Sequence, residues 1–318
     1  MPRPLAIEIL DAIVTSYRAH RSHVEDDDGP SIDRHFEVGD FERLDVAGPM
    51  DVVVRTGAAA SVQASGPEWA LENLRVEQQD DRLLIGCEGD IDSDVTVVVT
   101  VRRLAAVRLS GSGDVSIDSI KGDAFECSSS GSGDLSVDEI DVQTLKLSTS
   151  GSGDIDIDKI RAADVETTQM GSGDLSFDAV ESAAFKLSMN GSGDAHIDEY
   201  CGDTLEAALS GSGDLEFDMI EAKTVKLSLF GSGDAYVDQG AADSVSLETA
   251  GSGDISVEGL KAKEASVSVC GSGDISAHAG KSIEINPLAF VTKDCCQPPL
   301  TRLIVPRICE RADIYILK

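Results

Sequence analysis

The sequence predicts an all-β chain: a single-stranded parallel β-helix with 20-residue rungs. Three observations carry that expectation. The tetrad Gly-Ser-Gly-Asp begins at Gly111, Gly131, Gly151, Gly171, Gly191, Gly211, Gly231, Gly251 and Gly271, always 20 residues apart. Within each unit apolar residues recur at every second position, the period of a half-buried strand. Along one outward position the residues read Glu126, Lys146, Glu166, Lys186, Glu206, Lys226, then Ser246 and Ser266. A unit this short cannot bury its own apolar face, and stacking on its neighbours does so. In a parallel stack those charged residues become vertical neighbours of opposite sign, and a slip by one rung would set like against like. Right-handed coiling is expected from the usual hand of parallel crossovers.

Composition agrees with a thin core. Of 318 residues only 4% are aromatic, with one Trp, Trp69. The net charge of -32 argues against nucleic acid and anionic lipid as partners, since both would be repelled. No run reaches the ~18 apolar residues of a membrane helix, so membrane insertion is not expected.

Residues 1–35 read as an N-terminal extension, a short helix or a disordered segment. Glu8 and Asp11 interrupt the apolar stretch Pro4 to Thr15, where a secretory leader would be uncharged. Residues 36–110 read as irregular β coils or an N-terminal cap, because an open first rung leaves unpaired strand edges. Strands are expected at Phe41 to Val46, Met50 to Arg55, Arg82 to Cys87 and Val95 to Val101, with one helical turn over Pro67 to Leu74.

Residues 111–285 hold the nine regular rungs. After each tetrad come two inward residues, as in Val115/Ile117, Leu135/Val137 and Ile155/Ile157. A third apolar column follows at Ile120, Ile140, Ile160, Val180, Tyr200, Ile220 and Leu260, then a second strand with Phe125/Cys127, Leu145/Leu147, Phe185/Leu187 and Val225/Leu227. Each unit therefore reads as strand, turn, strand, turn. The glycine pairs, such as Gly111/Gly113, Gly131/Gly133 and Gly151/Gly153, read as structural turn residues, allowing a tight corner with positive φ or a close approach of backbones. Residues 286–318 form an atypical tail with Cys295, Cys296, Cys309, four prolines and more basic than acidic groups. It reads as a cover for the last rung or as an end foreign to the domain.

The run Phe41 to Gly57, then Arg82-Leu-Leu-Ile85, then Val95 to Val101 and the tetrad repeats, resembles the bacterial auto-transporter adhesin, head GIN domain family. The resemblance covers about residues 36–280. It implies a secreted, periplasmic or envelope-anchored β-helical protein with a binding role, and it brings no catalytic residues.

The most unusual expected surface is the outer face of the first strand. Asp114, Asp134, Asp154, Asp174, Asp194, Asp214, Asp234, Asp254 and Asp274 form one column. Asp118, Asp138, Asp158, Asp178, Asp198, Asp218 and Asp238 form another, continued by Glu258 and His278. Carboxylates stacked about 4.8 Å apart repel by about 1 kcal/mol even in a water-like dielectric, so something must offset this. They could accept hydrogen bonds from corner amides. They could instead bind Ca2+ between rungs with backbone carbonyls. No cofactor is required by the sequence, and Ca2+ is the ion these columns would take.

Enzymatic readings find less support. A catalytic site should break the repeat locally, whereas the carboxylate columns are uniform. His20, His23, His35, His196 and His278 are scattered without an HExxH motif, and Gly-Ser-Gly is not a nucleophile elbow. The serine column from Ser112 to Ser272 has no partner base in sequence. Seven cysteines without metal spacing imply no disulfide framework, and Cys127 reads as a small core residue. The expectation is a non-catalytic envelope or secreted module that binds a protein, glycan or cation, or acts as a spacer. A calcium-binding repeat module and a polysaccharide-active β-helix enzyme are the alternatives.

Overall fold

The structure, a computed structural model, describes residues 31–57, 59–89, 95–285 and 312–315. Among them are nineteen strands, joined in one hydrogen-bonded sheet, and one short helix. The regular stack starts with β9 (Val115–Lys121) and β10 (Ala124–Ser129). It continues through β11 (Leu135–Thr149), β12 (Ile155–Gln169), β13 (Leu175–Met189) and β14 (Ala195–Leu209). β15 (Leu215–Leu229), β16 (Ala235–Thr249), β17 (Ile255–Val269) and β18 (Ile275–Ile285) complete it. Neighbouring coils pair in parallel at an offset of 20, as in Leu135↔Ile155 and Leu145↔Val165. The stack is the parallel β-solenoid that the repeat predicts.

The path of each coil differs from strand, turn, strand, turn. From β11 onward the two expected strands merge into one bent strand of 15 residues. In β11 the buried residues are Leu135, Val137, Ile140, Val142, Leu145, Leu147 and Thr149. Alternation slips twice, at 138–139 and 143–144, where two successive residues point outward. The pairing register skips residues 138 and 143 at the same places. The chain thus bends between three short sides without losing its ladder. Only Ser150–Asp154, which contains the tetrad, is a true corner.

Of the two alternatives for the corner glycines, close backbone approach fits the structure and positive φ does not. Gly111, Gly113, Gly131, Gly133, Gly151 and Gly153 all lack positive φ, and the chain bends at the tetrad without closing a hydrogen-bonded turn. Close backbone approach explains them instead. A Cβ on Gly151 would sit 1.8 Å from the carbonyl oxygen of Gly131, and one on Gly153 would sit 2.1 Å from that of Gly133. Gly113 departs from the pattern in its neighbour. It is buried, and its Cβ would sit 2.0 Å from the carbonyl oxygen of Met50, a non-glycine residue of an earlier coil. Gly113 is therefore required by contact with the N-terminal coils, where Met50 stands in place of the second tetrad glycine.

The alternating charges do share one register, Glu126↔Lys146↔Glu166↔Lys186↔Glu206↔Lys226. The close ion pairs among the described residues lie in other columns. Glu139 meets Lys121 at 3.4 Å and Arg161 at 2.7 Å, and Arg161 reaches Glu181 at 3.5 Å. Solvated pairs gain little from closing, so the alternating column serves register by avoiding like neighbours.

The core is a set of vertical columns. Ile120, Ile140, Ile160, Val180, Tyr200, Ile220 and Leu260 are all fully buried. Phe177, Phe185 and Tyr200 form an aromatic run with ring centroids 6.3 and 5.8 Å apart. The Tyr200 hydroxyl donates to the Thr204 carbonyl at 2.8 Å. Burial pushes that phenol up to about 12.

The N-terminal coils are stacked out of chain order. β2 (Arg43–Ala47) and β3 (Asp51–Thr56) make one coil. On one side it pairs with β8 (Ala106–Leu109) and β9. On the other side it pairs with β6 (Arg82–Cys87) and β7 (Thr96–Val101). The chain lays β2–β3 first, adds β6–β7 outside it, then returns to build β8–β9 on the inner side. The outer coil is closed by antiparallel strands. β4 (Ser61–Pro67) pairs with β7 and with β1 (Ser31–Phe36), and β5 (Leu74–Gln79) pairs with β6. Helix α1 (Glu68–Asn73), between β4 and β5, buries Ala70 and Leu71. β1, β4, β5 and β8 lie outside the strands that the sequence predicts, and β1 begins within the segment assigned to the extension.

At the other end the offset falls from 20 at Val257↔Ala277 to 17 at Lys261↔His278, then settles at 18 from Glu264↔Ser282 onward. His278 therefore pairs with Lys261 and does not continue the column through Glu258. A last strand, β19 (Ala312–Tyr315), pairs antiparallel with β18. The expected helix or disorder before residue 31, and the tail over 286–311 and 316–318, lie outside the described residues.

Candidate functional site: an anionic sheet face

Positions 114, 116 and 118, and their equivalents every 20 residues, point outward from the first side of each coil. They form three vertical columns on one face.

The first column is a hydrogen-bonded ladder. The amide of each aspartate donates to the Oδ1 of the aspartate one rung before it. Asp134 donates to Asp114 at 3.0 Å, Asp154 to Asp134 at 2.8 Å, Asp174 to Asp154 at 2.7 Å and Asp194 to Asp174 at 2.8 Å. Asp214, Asp234, Asp254 and Asp274 repeat the contact at 2.7–2.8 Å. Such charge-assisted bonds, about twice as strong as neutral ones, offset the repulsion between stacked carboxylates. The ladder rests on Asp51, whose Oδ1 accepts the Asp114 amide at 3.2 Å. Asp51 closes the run Gly48-Pro-Met-Asp, a degenerate tetrad on the β2–β3 coil that no 20-residue period announces. Its signal was the Gly-x-x-Asp spacing ahead of the alternating Val52 and Val54.

The outer column differs. Asp118 accepts from the Thr56 amide at 3.0 Å and from the Thr56 hydroxyl at 3.2 Å. Further along, the carboxylates face one another. Loss of hydration, then the charges of Asp158 and Asp118, hold Asp138 above the ordinary value of 3.8. Asp178 is raised in the same way by loss of hydration, then by Asp198 and Asp158, with His196 acting in the opposite direction.

Between these columns runs a variable one: Ser116, Ser136, Asp156, Ser176, His196, Glu216, Tyr236, Ser256 and Ser276. Loss of hydration and the charges of Asp154 and Asp134 raise Asp156. The Tyr236 hydroxyl donates to Asp234 Oδ2 at 3.0 Å. His196 stands among acids. Its Nε2 lies 2.9 Å from Asp198 Oδ1 and 3.8 Å from Asp218 Oδ1, and its Nδ1 lies 3.4 Å from Glu216 Oε2. In sequence His196 is one of five scattered histidines. The 20-residue offset, which sets Glu216 beside it, was the signal available.

Other sequence candidates are structural. Serines of the tetrad donate their amides to the rung before, as in Ser132 to the Gly111 carbonyl at 3.0 Å. Cys127 is buried in the core, which pushes its thiol up to about 12 and leaves it unreactive. A shallow hollow of about 60 Å3 opens over Lys186, Glu206 and Lys226, far smaller than the ~300–1,000 Å3 of typical ligand pockets. No described helix is long and apolar enough to cross a membrane.

A family model described as "Putative auto-transporter adhesin, head GIN domain" matches residues 40–200 and again 186–288. The chain belongs to this family. The two matches to the head GIN domain model overlap over residues 186–200. Three solved structures are similar in fold, each at 18% identity. A "putative adhesin" from Parabacteroides merdae has a TM-score of 0.54, covering 81% of this chain and 97% of its own. A "putative lipid binding protein" from Parabacteroides distasonis also has a TM-score of 0.54, covering 80% of this chain and 97% of its own. A "putative adhesin" from Bacteroides fragilis has a TM-score of 0.50, covering 81% of this chain and 97% of its own. No curated protein matches this head GIN domain chain.

Proposed function

We propose that this head GIN domain chain is a non-catalytic module of the cell envelope or of the secreted fraction, and that its anionic face binds a basic partner surface. The carrying observation is the face itself. Carboxylates repeat in its first and third columns on every rung from Asp114/Asp118 to Asp254/Glu258. A flat, regular array of one sign favours an extended partner of the opposite sign, steered by long-range attraction. The family description as an adhesin supports a binding role at a surface. The name of the lipid-binding neighbour does not transfer readily, because this face repels anionic headgroups.

The test compares two triple variants on an array of glycans, cationic polymers and basic proteins. One carries Asp138→Asn, Asp158→Asn and Asp178→Asn; the other carries Lys146→Gln, Lys186→Gln and Lys226→Gln. Salt-sensitive binding that the first set weakens and the second leaves intact is expected. Equal binding by both would sink the reading. Turnover of a polysaccharide, abolished by one aspartate substitution, would replace it with the enzymatic alternative.

Ca2+ is the second reading, favoured by the outer column, where Asp138 and Asp178 are raised first by loss of hydration and then by neighbouring carboxylates. Calcium titrated into EDTA-stripped protein would show several sites and a higher melting temperature. Superimposable melting curves would remove it.

A further inference from the structure

We propose that His196, Glu216 and Asp218 form a site for one divalent transition metal ion of the zinc class. One ligand atom from each lies within 4.8 Å of the others, close enough for one ion to draw them together. Strand register builds this arrangement. His196 and Glu216 are paired partners on β14 and β15, so the glutamate stands beside the imidazole. Asp218 is two residues further along β15 and returns to the same face.

Asp198 supplies the supporting contact. Its Oδ1 lies 2.9 Å from Nε2. A carboxylate at that nitrogen favours the tautomer whose proton is on Nε2 and whose lone pair is on Nδ1, and it makes the imidazole a stronger donor. Nδ1 is the nitrogen that faces Glu216, at 3.4 Å, while Asp218 Oδ1 lies 3.8 Å from Nε2 and has to swing toward Nδ1 to share the ion.

The donor set selects the metal. Ca2+ and Mg2+ take oxygen ligands, whereas one imidazole with two carboxylates suits Zn2+ and its neighbours. The side chains keep 41–51% of their exposure, so water can complete the coordination. The carboxylates stacked above and below add to the field that draws a cation in. Only at this rung does an imidazole enter the middle column beside two acids. The equivalent position is serine at Ser176 and Ser256. The inference does not rest on the partner-binding reading.

The experiment titrates Zn2+ calorimetrically, and Co2+ by visible absorption, into the full chain with Mg2+ in excess. The variants are His196→Ser, which installs the residue native to neighbouring rungs, and Asp198→Asn. Thiols elsewhere bind equally in chain and variants, so the site is read as the difference. One Zn2+ per chain that His196→Ser removes, and that Asp198→Asn weakens about 10- to 100-fold, is the expected result. Unchanged stoichiometry and affinity in His196→Ser, or only weak binding that Mg2+ displaces, would overturn it. Partner binding measured in EDTA keeps failure here separate from failure of the anionic-face reading.

Discussion

Replacing Gly151 by Ala tests what holds the rungs at their spacing. The added Cβ would sit 1.8 Å from the Gly131 carbonyl oxygen, and real Cβ contacts essentially never fall below 3.0 Å. The shortfall of 1.2 Å is a quarter of the ~4.8 Å rung spacing. Relief by lifting the corner stretches the bond from the Ser152 amide to that same oxygen, now 3.1 Å. Overpacking costs about 1–3 kcal/mol, and the lost hydrogen bond adds about 0.5–1.5 kcal/mol. Reduced freedom of the unfolded chain returns about 0.4–1 kcal/mol. The net loss is about 0.5–4 kcal/mol, centred near 2, and is concentrated on the rungs next to the substitution. Gly122→Ala is the control, because its Cβ would meet only the movable Arg103 side chain, at 3.2 Å. Urea unfolding gives the stability, and hydrogen exchange at amides near 132 and 152 gives the place, since a stacked array need not melt in one step. A Gly151→Ala midpoint equal to or above that of Gly122→Ala would refute the close-approach account.

The pH dependence of stability has a definite sign on the anionic face. Asp138 and Asp178 are raised in the folded chain, so that state takes up protons before the unfolded one does. Their contribution grows as pH falls from neutral through the raised values and stops growing near 3.8, where the unfolded chain also protonates. Glu139, held low by Lys121 and then Arg161, works in the other direction. The double variant Asp138→Asn, Asp178→Asn should therefore melt higher than the parent at neutral pH and lose that advantage near pH 4; parallel melting curves across the range would contradict this. Raising NaCl from low to about 0.5 M should raise the melting temperature by screening stacked carboxylates, as followed by circular dichroism. Phe185→Ala should cost about 3–5 kcal/mol in urea, since the ring is buried between Phe177 and Tyr200.

Much of this molecule is legible in its sequence because the repeat turns long-range contact into a fixed offset. Once residues 20 apart are known to stack, the inward columns through Val115 and Ile120, the glycine contacts and the aspartate columns can be read from the sequence. The reading weakens wherever that offset fails. Gly48-Pro-Met-Asp51 carries the corner chemistry of a rung but lies 63 residues before Gly111 to Asp114. No local period connects them, so the order β6–β7, β2–β3, β8–β9 stayed hidden, and with it the seat of Gly113 on Met50. The same limit hides the shortened last coil, where a three-residue loss in offset sets His278 beside Lys261.

The sequence by itself determined the solenoid, its period, its core columns and the sign of its surface, because each follows from alternation and repetition along one chain. Tertiary structure alone decided which aspartates are satisfied. Amides of the next rung reach the column of Asp114, while the column of Asp138 and Asp178 meets its own like charges. The reason is geometric. Residues 114 and 118 look alike in sequence, but 114 ends a corner, where the next amide points at the carboxylate, and 118 lies at a bend, where the ladder skips a residue. The gathering of His196 with Glu216, Asp218 and Asp198 was decided there too, since it depends on how far each side chain reaches across paired strands.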